Sequence, residues 1–427
     1  MLQVTKLKQE GWQQQIPMRS QFEYEEVNAA VREILEQVRE KGDEALKRYN
    51  LQFDHADTPQ LEVSPEEIRA AYERISPEMR EILQEACRNI RIYHEKQIRQ
   101  DFMIHDQEGI VLGQMITPVE KVGIYVPGGT AAYPSTVLMN AVPAKLAGVK
   151  ELVLVSPPGH QGEIPDMILA AAYTAGVDRV FRVGGAQAIG ALSYGTESVP
   201  RVYKIVGPGN IYVAMAKKMV FGQVDIDMIA GPSEILVVAD RTANPRYLAA
   251  DLLSQAEHDK LACAILVTDS EEVARATAKQ LELQGQRLPR WEIAKASLET
   301  YGRIFCTDSL EQAMAVANEI APEHLEIYTE QPFDLLSQVR NAGSVFLGSS
   351  TPESLGDYWA GPNHTLPTSG TAKFASPLSV DDFIKKSQVT YYTPEALRKV
   401  SGQIAMFARS EGLEAHARAA EIRGEDA

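Results

Sequence analysis

Between Lys121 and Leu347 the chain alternates short apolar runs with helix-length segments, and the early runs close in glycine or proline turns. Run 122–126 leads into Pro127-Gly128-Gly129, and 152–156 into Pro157-Pro158-Gly159. Run 179–183 leads into Gly184-Gly185, and 203–206 into Gly207-Pro208-Gly209-Asn210. Ala/Leu-rich stretches such as 134–148 and 164–175 lie between them. Strands alternating with helices imply right-handed βαβ units and a parallel sheet covered on both faces.

A second block of the same kind follows at 235–239, 262–267, 303–306, 325–328 and 344–347. Two of its runs end alike, in Thr268-Asp269-Ser270 and Thr307-Asp308-Ser309, a weak internal repeat of one βα unit. The pattern therefore predicts two sheet domains and no solenoid. Before this region, Val27, Val31, Ile34, Leu35 and Val38 recur at helical spacing, and Ser64-Pro65-Glu66-Glu67 reads as a capped helix start. Residues up to about 110 are thus expected to be helical and structural. Residues 348–379 form a loop rich in Gly, Ser, Thr and Pro; it holds Asp357, Trp359, His364 and Lys373, and its length points to function. A closing helical segment opens at Thr393-Pro394-Glu395.

Charge and cysteine usage narrow the function classes. Acidic side chains outnumber basic ones, 58 to 42, and a net charge of −16 repels phosphate backbones and anionic membranes. No run of about 18 apolar residues occurs, so neither a nucleic-acid nor a membrane partner is expected. The N-terminal stretch has no signal-peptide pattern. Three cysteines at wide spacing, Cys87, Cys263 and Cys306, supply neither a disulfide framework nor a zinc cluster. Cys263 and Cys306 sit in strand-like runs and read as small buried hydrophobes. A reduced, cytoplasmic protein is expected.

Some residues could carry chemistry. Asn244-Pro245 opens a helix that reaches Gln255 and His258, three apart and able to meet at one point. Alone this reads as the polar face of a helix rather than a metal pair, since glutamine is an uncommon zinc ligand. Glu323-His324 stands where a helical segment meets a strand, an adjacency suited to proton transfer, although on spacing alone the pair reads first as part of a surface loop. The glycines at 184–185 and 207–209 follow strands, where open α/β sheets bind ligands, although neither a G-x-G-x-x-G fingerprint nor a nucleoside-triphosphate lysine motif is present.

Taken together, six segments resemble the histidinol dehydrogenase family: Gly123-Ile-Tyr-Val-Pro-Gly-Gly-Thr130, Arg182-Val-Gly-Gly-Ala-Gln-Ala188, Ile229-Ala-Gly-Pro-Ser-Glu234, Leu253-Ser-Gln-Ala-Glu-His258, Ala321-Pro-Glu-His-Leu325 and Gly361-Pro-Asn-His-Thr-Leu-Pro367. The likeness runs in order over nearly the whole chain. It implies a zinc-dependent homodimer that oxidises L-histidinol to L-histidine through an enzyme-held aldehyde, with two NAD per turnover, in histidine biosynthesis. Carried over by motif, the zinc ligands fall on Gln255, His258, Asp357 and His416, and the acid–base pair on Glu323 and His324. Substrate contacts fall on Ser233, Gln255, His258, His324, Asp357, Glu411 and His416; NAD contacts fall on Tyr125, Gln187 and Asn210. His364 belongs to a family motif and is read as loop support. The fold implied is α/β, with two Rossmann-like, incomplete, doubly wound parallel-sheet domains, a helical N-terminal region and a small helical tail. The expected division is an arm at 1–20, a first domain at 21–120 plus 235–379, a second, NAD-side domain at 121–234, and a tail at 380–427 exchanged in the dimer. Two rivals keep the scaffold. One is a related zinc- and NAD-dependent dehydrogenase of another small alcohol or sulfonated polyol; retained Glu411 and His416 favour histidinol. The other is a non-catalytic regulatory or assembly protein, which would need no complete ligand set beside Glu323-His324.

Overall fold

The computed structural model describes residues 2–16, 25–128 and 132–425. Gly129 of the first strand-end turn and residues 17–24 lie outside the described residues. Two edge strands precede the main sheets, β1 (Val4–Lys6) and β2 (Glu62–Val63), and β3 (Phe102–Ile104) and β4 (Ile110–Pro118) form a separate antiparallel pair. One parallel sheet then follows from β5 (Lys121–Tyr125), β6 (Glu151–Ser156), β7 (Arg179–Arg182), β8 (Lys204–Val206) and β9 (Asp225–Ile226), ordered β7-β6-β5-β8-β9. The other is built from β10 (Glu234–Ala239), β11 (Cys263–Thr268), β12 (Arg303–Cys306), β13 (His324–Tyr328) and β14 (Ser344–Leu347), ordered β12-β11-β10-β13-β14. Each winds outward one way and then reverses, between β5 and β8 in the first sheet and between β10 and β13 in the second. The doubly wound α/β architecture is the one the apolar runs predict. Crevices form at such reversals because neighbouring connections leave on opposite faces.

Alternation along the strands sets the two cores of the first sheet. Val122, Ile124, Leu152 and Leu154 face α3 (Pro65–Arg74), α4 (Pro77–His94), α5 (Pro134–Ala147) and α6 (Asp166–Ala175). Tyr125, Val153, Val155 and Phe181 face α1 (Glu25–Lys41), α2 (Asp43–Tyr49), α7 (Gly185–Tyr194) and α8 (Ile211–Val220). In the second sheet, Ile235, Val237 and Leu266 pack on α9 (Pro245–Ala256), α10 (Glu271–Gly285) and α11 (Trp291–Tyr301). Leu236, Val238 and Ile327 pack on α12 (Leu310–Ile320) and α13 (Pro332–Leu336). Each such aliphatic side chain, fully buried, contributes about 1.5–3 kcal/mol.

The packing corrects the expected division of the chain. The helices of 21–120 lie on the 121–234 sheet and not with 235–379. The stripe Val31, Ile34, Leu35 and Val38 closes the core containing Val153 and Phe181, and Ile68, Leu83 and Ile90 close the opposite one. Ser64 caps α3 as read, its side chain accepting from Glu67 N at 3.1 Å. The N-terminal arm contributes β1, which pairs parallel with β12. The tail is not wholly helical either: β15 (Ile384–Tyr392) pairs antiparallel with β4 along its whole length before α15 (Pro394–Ser410) and α16 (Glu414–Glu425). The long loop carries a short helix, α14 (Glu353–Tyr358). No helix among the described residues is long and apolar enough to cross a membrane.

Candidate active site

The acid–imidazole pair lies where the second sheet reverses, at the strand starts. Glu323 precedes β13 and His324 opens it, opposite Ile235 near the start of β10, and both are buried. Glu323 Oε2 accepts from Glu234 N at 2.8 Å, and His324 Nδ1 lies 3.0 Å from Glu234 O. A carbonyl only accepts, so Nδ1 carries the proton and Nε2 presents its lone pair. Nε2 has no hydrogen-bond partner and faces two carboxylates, Glu353 Oε1 and Asp357 Oδ1, each 3.9 Å away. Burial holds the imidazole below its ordinary value, with Glu353 opposing that shift, so the ring is neutral and basic at Nε2.

Burial also shapes the surrounding acids. It lifts Glu323 well above the usual carboxylate range, against the hydrogen bond from Glu234. Glu353 is pushed up to about 7 by burial and then by Asp357 beside it. Asp357 is itself raised to about 6 by burial. Both sit on α14, four residues apart and therefore on one face. Behind them Glu326 Oε1 accepts from Glu353 N at 2.9 Å, holding the first turn of that helix. His324, Glu353 and Asp357 form the group among the described residues whose ligand atoms lie close enough to share a metal ion. Sequence reasoning missed Glu353; its i, i+4 spacing to Asp357 was the available signal.

Other carried-over residues are distributed around this group. Gln255, in the last turn of α9, is buried, with Nε2 3.5 Å from His324 Nδ1 and Oε1 without a partner. His258 follows on an exposed turn, its backbone N donating to Gln255 O at 3.1 Å. His364 Nδ1 lies 3.2 Å from Asp357 O, so it touches the loop that carries Asp357; burial holds its ring down at about 4. Ser233 immediately precedes β10, its carbonyl accepting from Cys263 N at 2.9 Å. Next to His324 and Asp357 is a cavity of about 120 Å3. Glu411 and His416 are exposed in the tail, outside this group.

The first sheet has its own reversal, and Tyr125, Gln187 and Asn210 converge on it. All three line a cavity of about 1400 Å3 at the carboxyl ends of β5 and its neighbours, flanked by Gly128 and Gly185. Tyr125 is buried, its oxygen accepts from Gly185 N at 3.1 Å, and burial pushes the phenol up to about 12. Gln187 is buried with Oε1 unpartnered, and Asn210 caps α8 by accepting from Tyr212 N and Val213 N.

These features define a class: a two-sheet, doubly wound α/β protein with a buried acid–imidazole site at one sheet reversal and a roomy cleft at the other. A family model described as histidinol dehydrogenase matches residues 17–424. Histidinol dehydrogenase of Halalkalibacterium halodurans is 56% identical over 397 residues, 93% of this chain and 94% of that protein. The Geobacillus kaustophilus histidinol dehydrogenase is 55% identical over 399 residues, again 93% of this chain and 94% of that one. The solved structure of histidinol dehydrogenase from Elizabethkingia anophelis superposes with a TM-score of 0.95 at 39% identity, covering 100% of this chain and 98% of that one. The chain belongs to the histidinol dehydrogenase family.

Proposed function

We propose that this protein oxidises L-histidinol to L-histidine by way of enzyme-held L-histidinal, with one zinc ion per subunit and two NAD per turnover, in the cytoplasm as a step of histidine biosynthesis. The observation that carries the reading is the neutral His324 with its Nε2 lone pair free, set between Glu323 and the Glu353–Asp357 pair.

The residues fit both groups. The unpartnered Gln255 Oε1, the Asp357 carboxylate and the nearby His258 imidazole are oxygen and nitrogen donors that suit zinc, and His416 of a second chain would complete four. The unpartnered Gln187 Oε1, the strand-end glycines and the volume of the cleft suit a dinucleotide. When bound, zinc supplies positioning and polarisation of the substrate, and NAD supplies the hydride acceptor. His324 Nε2 takes the hydroxyl proton during the first oxidation. Glu323, once ionised, removes a proton from water as that water adds to the aldehyde, whose oxygen takes back the proton held on His324 Nε2, giving the diol and restoring the free base; the raised pKa of Glu323 makes it a strong base. His324 then removes the proton of the resulting diol in the second oxidation. Ser233, Gln255, His258, Asp357, Glu411 and His416 are assigned to substrate recognition.

The same reading takes the protein as a homodimer with exchanged tails. Met406 and Phe407 on α15 are 75% and 71% exposed, and Phe102 on β3 is 50% exposed, apolar surface that a second chain would cover. The test is direct: zinc-loaded protein with histidinol and NAD should give two NADH per histidine formed. No turnover under those conditions removes the proposal.

A further inference from the structure

Lys217 and Asp227 form an ion pair whose side chains are only 2% and 1% exposed. Such burial strips both charges of water, and a buried pair of this kind seldom adds net stability over apolar replacements. Its contacts suggest a different use. Both partners hold the same residue, Gly207: Lys217 Nζ donates to Gly207 O at 3.0 Å, and Asp227 Oδ2 accepts from Gly207 N at 2.8 Å. Gly207 has φ +109°, and a Cβ there would stand 2.1 Å from Tyr125 O, so the residue lies flat against the end of β5. It opens the turn Gly207-Pro208-Gly209-Asn210 at the reversal of the first sheet, where Tyr125 and Asn210 line the large cleft. Lys217 reaches back from α8, the helix that Asn210 caps. Asp227 stands just after β9, and its Oδ1 also accepts from Met228 N at 2.6 Å, the first residue of the segment leading to Ser233.

We propose that Lys217 and Asp227 are positioning residues for the dinucleotide: by gripping both polar groups of Gly207 they fix the turn against Tyr125 and thereby set the cleft that NAD enters. This inference rests on the reading of that cleft as the NAD site. Neither side chain touches the cofactor in this scheme, and the cleft's shape is what they control.

The experiment titrates NAD into the zinc-loaded full-length protein by calorimetry, for wild type, Lys217→Met, Lys217→Met/Asp227→Asn and Gln187→Leu, with thermal melts and histidinol titrations in parallel. The single variant leaves a buried carboxylate unpaired and should melt lower. The double variant removes both charges, and its amide oxygen still accepts from Gly207 N while giving up the Met228 N contact, so most of the melting loss should be recovered. NAD affinity should not: loss of the lysine frees the Gly207 carbonyl, and both variants should bind NAD about tenfold more weakly, a modest misplacement effect. Histidinol affinity should stay within about twofold, below the same misplacement scale. If Lys217→Met does not fold, the double variant decides. Wild-type NAD affinity in the double variant, with Gln187→Leu weakened, overturns the positioning role alone. NAD affinity unaffected in Gln187→Leu, or absent in the wild type, overturns the cleft assignment and this inference with it.

Discussion

Replacing Glu323 by Gln should separate the two oxidations. Burial holds the Glu323 carboxyl well above the usual range, which favours its neutral form, and an amide of nearly the same shape replaces it. The amide oxygen can keep the 2.8 Å contact from Glu234 N, so the fold should change by no more than about 1 kcal/mol. What the amide cannot do is take a proton from water. A positioned general base contributes about 10²–10⁴-fold, equivalent to about 3–5 kcal/mol of barrier, and only the aldehyde-to-acid step needs it. The first oxidation should fall by less than about tenfold, since His324 Nε2 remains in place. Rapid mixing of enzyme and NAD with histidinol, and separately with histidinal, reads each step by NADH absorbance. Glu323 acts only when ionised, and its pKa is raised, so the wild-type second step should speed up as pH rises and the variant should lack that limb. Equal losses in both steps would refute the role given to Glu323.

Further outcomes follow from the same geometry. His324→Asn should slow both steps by about 10²–10⁴-fold, because each needs a proton to leave; a variant that spares either step contradicts the tautomer argument. Chelation should abolish turnover while far-UV circular dichroism stays near its original value, since the ligand residues hang on sheets already packed on both faces. Heterodimers of a His324→Asn chain with a His416→Asn chain should regain activity if tails are exchanged, as one site collects both lesions; verified heterodimers that stay inactive reject the exchange. His94 is fully buried, with Nε2 unpartnered and its pKa lowered by burial. Its folded pKa lies below the unfolded value of about 6.5, so the unfolded chain binds the extra proton and stability falls as pH drops below that value. Denaturant titrations should show this loss shrinking in His94→Leu, and an unchanged pH slope would count against it.

Much of the framework was legible locally. Continuous aliphatic runs such as 235–239 read as strands buried on both faces, and the polar, glycine or proline residues after each mark where it stops. Glu323-His324 and the Gln255/His258 spacing were visible as residue types, because adjacency and helical periodicity are properties of the chain itself. Strands β1 and β2, with three and two residues, were not visible, since so short a segment carries no period and is extended only because an edge of β12 or β7 accepts it. Polar β15 was hidden for a related reason: Lys385, Lys386, Ser387 and Gln388 are exposed, and only pairing with β4 makes the segment a strand. The partner of the N-terminal helices was expected on the wrong sheet, because an apolar stripe specifies that a face must be buried and not which sheet buries it. The site shows the division most clearly. Folding alone brings α9, β13 and α14 together, so that Gln255, His324, Glu353 and Asp357 share one space out of water. Their acidities are therefore tertiary properties: the carboxyl and imidazole groups are written in the sequence, but the loss of solvent that raises the pKa of Glu323 and lowers that of His324 comes from the elements packed around them.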